Sequence, residues 1–309
     1  LLAHGIISTE DRLQTALATK LEGQSLLSSQ DSQLFPLRYW TGQLARLSRT
    51  YQGASPVPHI YIPELLDPSA AAAAALDFPD PSTSAWTHYQ HQNENKHGMT
   101  KRQHFPARLG EACDALNSPE FLKWLSALTG IPGLMADPSL EGGGLHQSGR
   151  GGFLNVHTDF SHHHYNTNWK RRINLILYLN PGWQEEWGGA LELWDSQMRN
   201  CVAKYPPLFN NAIIFNTDEK SFHGFPEPLQ CPEGGSRKSL ALYYYTIDHS
   251  KKAAKRSTNY RARPNDGPLK SAMIWLDKQA VHLYSQAKAT FGFSDELASR
   301  VLDKFSRKK

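Results

Sequence analysis

The feature that most limits the fold is a change of hydrophobic period near residue 139. From there to about residue 250, short apolar runs alternate with Gly, Asn and Pro punctuation. The runs cover 152–156, 173–179, 190–194, 211–215 and 238–245. Many short strands with turn signals between them argue for a sandwich or barrel. Both flanks read as helix. The first 50 residues carry a loose apolar stripe through Leu13, Ala16 and Leu21, behind a capping pair at Ser8 and Asp11. Residues 119–129 are the clearest helix: Asn117 or Ser118 caps it, Pro119 opens it and Gly130 stops it. Its apolar residues Phe121, Trp124, Leu125 and Leu128 form one buried face. After Tyr260 the helical spacing returns in Met273, Leu276, Ala280, Leu283 and Ala287, and Ser294 opens a last helix. Between the helices, 59–62 reads as a strand and the alanine run 70–75 as a short helix or a loop.

These periods divide the chain into an N-terminal helical and loop region (1–138), a β-rich core (139–250) and a C-terminal helical extension (251–309), expected to form one structural domain. The fold class expected is α+β. With 309 residues and 39% hydrophobic residues, the chain can build such a core without disulfide staples. Three well-separated cysteines, Cys113, Cys201 and Cys231, give neither a CxxC motif nor a disulfide framework, and point to a reducing, cytoplasmic setting. No apolar run reaches the roughly 20 residues of a membrane span. The net charge of +4 is spread out. The clusters at Lys251, Lys252, Lys255 and Arg256 and at Arg307–Lys309 read as solvated faces, so no nucleic-acid partner is expected. Oligomeric state is not readable.

The core holds His157-Thr158-Asp159 directly after a run that reads as a strand. Residues i and i+2 of an extended segment point to one side, so this imidazole and carboxylate reach one point. His223 follows 66 residues later, behind the apolar run 211–215. Two histidines and a carboxylate make the facial triad that holds iron and leaves the opposite face open. Arg237 comes fourteen residues after His223 and starts another strand. Its planar fork suits a buried carboxylate.

The blocks Leu154-Asn-Val-His157-Thr-Asp159-Phe, Arg172-Ile-Asn-Leu-Ile-Leu-Tyr178-Leu-Asn-Pro, Trp187-Gly-Gly-Ala-Leu-Glu-Leu-Trp194, Asn211-Ala-Ile-Ile-Phe with Ser221-Phe-His223-Gly, and Ser236–Tyr245 occur in this order. In them the chain resembles the prolyl 4-hydroxylase-like branch of the iron(II)/2-oxoglutarate-dependent oxygenases, over about residues 140–248. The resemblance implies a double-stranded β-helix (jelly-roll) core with flanking helices. It implies that His157, Asp159 and His223 are the catalytic iron ligands, and that Arg237 and Tyr178 bind the distal carboxylate of 2-oxoglutarate. Asn174 lies on the same face as Tyr178 and is a further polar contact for the co-substrate. Tyr243 lies on the same face as Arg237 and walls the cavity. With Tyr165, Trp169 and Arg172 it is a candidate substrate contact. Two departures stand out: Leu154 where relatives often carry Tyr, and Arg237 where many prolyl 4-hydroxylases carry Lys. A carboxylate at Asp159 argues against halogenation. The His162-His163-His164 run reads as a polar loop at the cavity mouth or an accessory metal site.

The expected function is hydroxylation of an unactivated C–H bond with Fe(II), 2-oxoglutarate and O2, giving succinate and CO2, with ascorbate as a reductant. The candidate substrate is a prolyl residue. The alternatives are a free amino acid or small natural product (hydroxylation, desaturation or ring formation), or a non-catalytic binding module.

Overall fold

A computed structural model describes residues 34–250 and 256–291. In chain order they form α1 (Leu37–Gly53), β1 (His59–Ile62), α2 (Pro68–Leu76), β2 (Thr87–His91), β3 (Glu94–Met99), α3 (Ala107–Leu116) and α4 (Pro119–Thr129). Then follow β4 (Met135–Ala136), β5 (Gly144–Gly149), β6 (Phe153–Thr158), β7 (Trp169–Tyr178), β8 (Leu191–Trp194), β9 (Cys201–Tyr205) and β10 (Ala212–Asn216). Last come β11 (His223–Phe225), β12 (Ser236–Ile247), β13 (Asn259–Tyr260) and α5 (Pro268–Phe291). The helix expected behind Ser8 and the one expected at Ser294 lie outside the described residues.

Strands β5 to β12 divide between two antiparallel sheets in the jelly-roll pattern. One holds β10, β7, β12 and β5, and the other holds β6, β11, β8 and β9. The core is therefore a double-stranded β-helix in an α+β chain. β1 extends the first sheet beyond β10, and β4 pairs with Tyr244 and Tyr245 of β12. β3 joins the two sheets, pairing with β5 at His97–Met99 and with β6 at Glu94 and Asn95. The region before the core thus supplies four strands as well as helices. The β2–β3 hairpin escapes a sequence reading because its run of His, Asn, Glu and Lys lacks apolar alternation.

The helices back the outer face of the first sheet. Ile173, Leu175 and Leu177 of β7, with Leu240, Leu242 and Tyr244 of β12, share one core with Trp40, Leu109, Phe121, Trp124 and Leu128. Residues 174, 176 and 178 then face the barrel interior. Both faces are covered, which explains the near-continuous apolar run of β7. α4 forms as its sequence dictates: Ser118 Oγ accepts from Phe121 N at 3.2 Å, and Gly130 ends the helix at φ 70°. The alanine run is helical because Asp67 caps it, accepting from Ser69 N and Ala70 N at 3.0 Å.

α5 forms where the helical spacing returns. The stripe of Met273, Leu276, Ala280 and Leu283 faces solvent, with Leu276 61% exposed and Leu283 65% exposed. The helix is attached instead through buried Ile274 and through Asp277, which binds the β2–β3 turn.

Candidate active site

β6 and β11 are neighbours, and their register places His223 opposite His157. The ring centroids lie 4.5 Å apart. Asp159, two residues past His157, turns to the same side. His157 Nε2 lies 3.6 Å from Asp159 Oδ1, and His223 Nε2 lies 3.5 Å from Asp159 Oδ2. His157 Nδ1–H donates to Asn155 O and His223 Nδ1–H to Ser221 O, both at 2.9 Å. A carbonyl only accepts, so each ring carries its proton on Nδ1 and turns the Nε2 lone pair to the shared centre. Burial pushes the His223 pKa down to about 4, which leaves that ring neutral near pH 7. Burial opposes ionisation of Asp159, but the Arg171 guanidinium and the two histidines outweigh it and hold the carboxyl well below the usual range. Two imidazoles and one carboxylate, with ligand atoms all within 4.8 Å, are a donor set that fits a divalent transition metal. Among the described residues this is the one such group.

The three residues line a cavity of about 240 Å3. Arg237 and Ser239 of β12 and Asn174 and Ile176 of β7 also line it. Arg237 is 5% exposed. Its Nε donates to Gly189 O at 2.8 Å and its Nη2 to Tyr178 OH at 3.3 Å. Phe225 lies under the guanidinium at 4.2 Å. No carboxylate among the described residues pairs with it, and burial lowers its pKa. Gly189, at φ 77°, brings its backbone against this side chain; a Cβ there would sit 3.0 Å from Arg237 Cδ. Burial also raises the Tyr178 pKa to about 12, so its hydroxyl keeps its proton. Lys238 turns the other way, over the Phe78 ring.

Asn174 lines the cavity and is bonded to the Asp159 carboxylate. Its Nδ2 donates to Asp159 Oδ2 at 2.8 Å, while its Oδ1 accepts from Arg171 Nε at 2.9 Å and Nη2 at 2.7 Å. Arg171 Nη2 itself lies 3.1 Å from Asp159 Oδ2. Tyr243 walls the cavity under Arg171, whose Cζ sits 3.4 Å from the ring centroid.

Three candidate substrate contacts lie outside this cavity. Arg172 is displaced by a bulge. Tyr244 and Tyr245 are consecutive on β12 but face Ile173 and Arg171 on β7, so Arg172 is the extra residue. The extra residue reverses the alternation, sends Arg171 into the cavity and leaves Arg172 beside Thr246 Oγ1 at 3.4 Å. Tyr165 is 63% exposed. Trp169 packs on His163 and Tyr245 instead. In the histidine run, His162 bonds Asp248 at 3.0 Å, and His163 is buried beside Asp137 and Glu141. His164 reaches the cavity.

Sequence reasoning missed Glu94, Lys96 and His146, which also line the cavity. Glu94 and Lys96 sit two apart on β3 and form an ion pair at 2.9 Å. The only sequence signal was that i, i+2 spacing. Burial pushes the His146 pKa down to about 3.

The profile of the 2OG-Fe(II) oxygenase superfamily matches residues 143–245, a third of the chain. That span holds all of the triad, Tyr178 and Arg237. Over that segment the chain is similar to this superfamily. The chain is also similar to prolyl 3-hydroxylase OGFOD1 of Mus musculus, at 37% identity over 79 residues. That match covers 24% of this chain and spans only 14% of the relative's length. Among solved structures, a Phytophthora capsici prolyl 4-hydroxylase aligns at 17% identity and TM-score 0.49, covering 84% of this chain and 79% of that one. A Trichoplax adhaerens prolyl hydroxylase aligns at 17% identity and TM-score 0.48, covering 67% and 92%. Among the described residues, no helix is long and apolar enough to cross a membrane.

Proposed function

We propose that the chain is an iron(II)- and 2-oxoglutarate-dependent dioxygenase that hydroxylates an unactivated C–H bond and releases succinate and CO2. The observation that carries this reading is the pairing, in one cavity, of a His–Asp–His set with a buried arginine that no carboxylate among the described residues neutralises. In this reading His157, Asp159 and His223 hold the iron, and Arg237 with Tyr178 binds the distal carboxylate of 2-oxoglutarate. Once bound, iron and 2-oxoglutarate would supply the electrons that activate dioxygen, one of whose atoms leaves in succinate while the other enters the substrate.

The remaining work belongs to the protein. Arg237 is desolvated in advance, so an arriving carboxylate meets a charge that water does not screen. The carbonyls of Asn155 and Ser221 fix both histidine tautomers. Arg171 and Asn174 occupy Oδ2 of Asp159 and fix its carboxylate plane. Ile176, Leu191, Leu154 and Phe225 line the cavity with apolar surface and keep water from the oxidant.

The proposed substrate is a prolyl residue within a polypeptide. The name of the mouse relative supports it, as does the cavity size. A volume of about 240 Å3 is below the ~300–1,000 Å3 of pockets that enclose whole drug-sized ligands. It takes the co-substrate and a small ring, with the rest of the substrate outside. Ascorbate serves as an added reductant. The free cysteines Cys113, Cys201 and Cys231 support a reducing, cytoplasmic compartment.

The test is an anaerobic titration of metal-free protein with iron(II) and 2-oxoglutarate, following the visible charge-transfer band of the chelate. The band is expected in wild type, absent in His223→Ala, and in Arg237→Ala reached only at far higher 2-oxoglutarate. No band in wild type overturns the cofactor assignment and favours a non-catalytic barrel.

A further inference from the structure

Lys96, Arg171 and Arg237 are the lysine and arginine side chains that line the active cavity. Two of them are already accounted for. Arg171 holds the Asp159 carboxylate, and Arg237 donates to Tyr178 and Gly189 where the distal carboxylate of the co-substrate is placed. Lys96 has no task in that reading. It comes from β3, the strand that joins the two sheets, and residues 94 and 96 point to one side of it, into the cavity. Glu94 is buried and divides its carboxylate. Its Oε1 lies 2.9 Å from His91 Nε2, and its Oε2 lies 2.9 Å from Lys96 Nζ. His91 is tied in turn to Asp277 of α5. Across the hairpin, the Tyr89 ring lies 5.7 Å from the ammonium. Lys96 is therefore anchored at its head as well as its backbone.

Burial disfavours the Lys96 charge, but the Glu94 carboxylate outweighs it and raises the pKa, so the head is an ammonium near pH 7. Tyr243 and Asp159 also act on that charge, which places it on the metal side of the cavity. The neighbouring His146 ring is neutral, its pKa pushed down to about 3 by burial and by Lys96 itself. An ammonium has three N–H donors. Among the described residues Glu94 is its one acceptor, so two donors remain for an oxygen on a ligand. In the prolyl reading the attacked carbon belongs to the ring, and the ring carries its own carbonyl on an adjoining carbon. Ring and carbonyl enter together. We infer that Lys96 binds the carbonyl oxygen of the residue being hydroxylated and so sets how its ring faces the metal site. This rests on the prolyl reading above and adds to it a residue and the atom it recognises. Glu94 and His91 are positioning residues that hold Lys96.

The experiment uses the full chain loaded with iron(II) and 2-oxoglutarate without oxygen, and reads binding as perturbation of the charge-transfer band. Three probes are compared: N-acetyl-prolinamide, N-acetyl-proline, and N-acetylpyrrolidine, which keeps the acylated ring but lacks the carbonyl on it. Wild type is expected to bind N-acetyl-prolinamide at least tenfold more tightly than N-acetylpyrrolidine. Lys96→Met should weaken N-acetyl-prolinamide about tenfold, the worth of one hydrogen bond to a charged group. It should leave N-acetylpyrrolidine and the 2-oxoglutarate titration unmoved. Lys96→Gln keeps a neutral donor and should lose only about threefold, again for N-acetyl-prolinamide alone. That variant carries the test if Lys96→Met does not form the band. No loss, or equal losses for N-acetyl-prolinamide and N-acetylpyrrolidine, overturns the assignment. A shifted 2-oxoglutarate titration overturns it too, and gives Lys96 to the co-substrate. Tighter Lys96-dependent binding of N-acetyl-proline than of N-acetyl-prolinamide overturns the peptide carbonyl in favour of a free carboxylate. A wild-type band that answers to none of the probes defeats the prolyl reading and this assignment with it. No band at all defeats the cofactor reading instead.

Discussion

One oxygen of Asp159 accepts from two donors that are themselves joined. Asn174 Nδ2 and Arg171 Nη2 both reach Oδ2, and the Asn174 carbonyl ties down the Arg171 fork. Rotation of the carboxylate would break several hydrogen bonds at once. Groups that orient a metal ligand in this way commonly govern ~10–100-fold of metal affinity. Asn174→Ala is therefore expected to weaken iron(II) binding about tenfold, measured by competition with a chromophoric chelator. Unchanged affinity would mean that Arg171 alone sets the carboxylate. The bulge at Arg172 gives a sharper contrast. Arg171→Met leaves a buried carboxylate without its cation and should cost on the order of 3 kcal/mol of stability. Arg172→Met should stay within about 0.5 kcal/mol. Urea unfolding of the two variants separates them, and equal losses would contradict the assignment of Arg172 as the extra residue.

At the scale of elements, α5 is held to the barrel by a polar joint. His91 on β2 donates from both ring nitrogens, Nε2 to Glu94 Oε1 at 2.9 Å and Nδ1 to Asp277 Oδ2 at 2.8 Å. Asn93 adds a contact to the same carboxylate. Burial disfavours the charged ring, yet the two carboxylates outweigh it and raise the His91 pKa to about 9 from an ordinary 6.5. The folded state thus binds more protons than the unfolded chain between those values. The contribution is complete below pH 6.5 and is lost as pH rises through 9. Hydrogen exchange in α5 is expected to accelerate between pH 7 and pH 9.5 beyond the intrinsic rate. Tm should fall with it, by ~2–4 °C for each kcal/mol lost. His91→Gln should flatten both trends, and the same trends in that variant would assign them elsewhere. Nothing of this joint was legible in the sequence, because its partners lie 186 residues apart and sit in segments without period. What was legible had local causes. α4 carries its own cap, proline and terminal glycine, and the core strands are apolar runs between turns. The triad was legible because strand alternation puts residues i and i+2 on one side. The bulge at Arg172 was not legible, since a bulge is set by the pairing partner, here Tyr244 and Tyr245, and leaves no mark in the strand's own residues.

On the scale of the whole molecule, the two sheets are supported unequally. The first carries long strands, β7 and β12, whose outer faces share a core with four helices. The second is pinned at its centre by β11, only three residues long, which joins β6 to β8. Its apolar contacts are small separate clusters: Val156 with Trp194, Met198 and Phe222 in one, Trp183 with Phe225 and Leu229 in another. His157 and His223 belong to these two strands and face each other across the join. An ion held by both, and by Asp159, would link β6 to β11 at this short central strand. Ligand that binds only the folded state adds stability by mass action, about 2.7 kcal/mol at a hundredfold excess over Kd. The gain should be concentrated where the ligands lie. With manganese(II) as a redox-stable probe, amide exchange in β6, β8 and β11 is expected to slow by at least tenfold, while β7 and β12 change little. Adding 2-oxoglutarate should extend the protection to Arg237 and its neighbours on β12, and Arg237→Ala should abolish that second effect only. Uniform slowing in both sheets would instead mean that the barrel opens as one unit and that the metal reports on global stability. Protection confined to β6, β8 and β11 would make the helix-backed sheet the fixed scaffold and the metal-bearing sheet the part that cofactor binding consolidates.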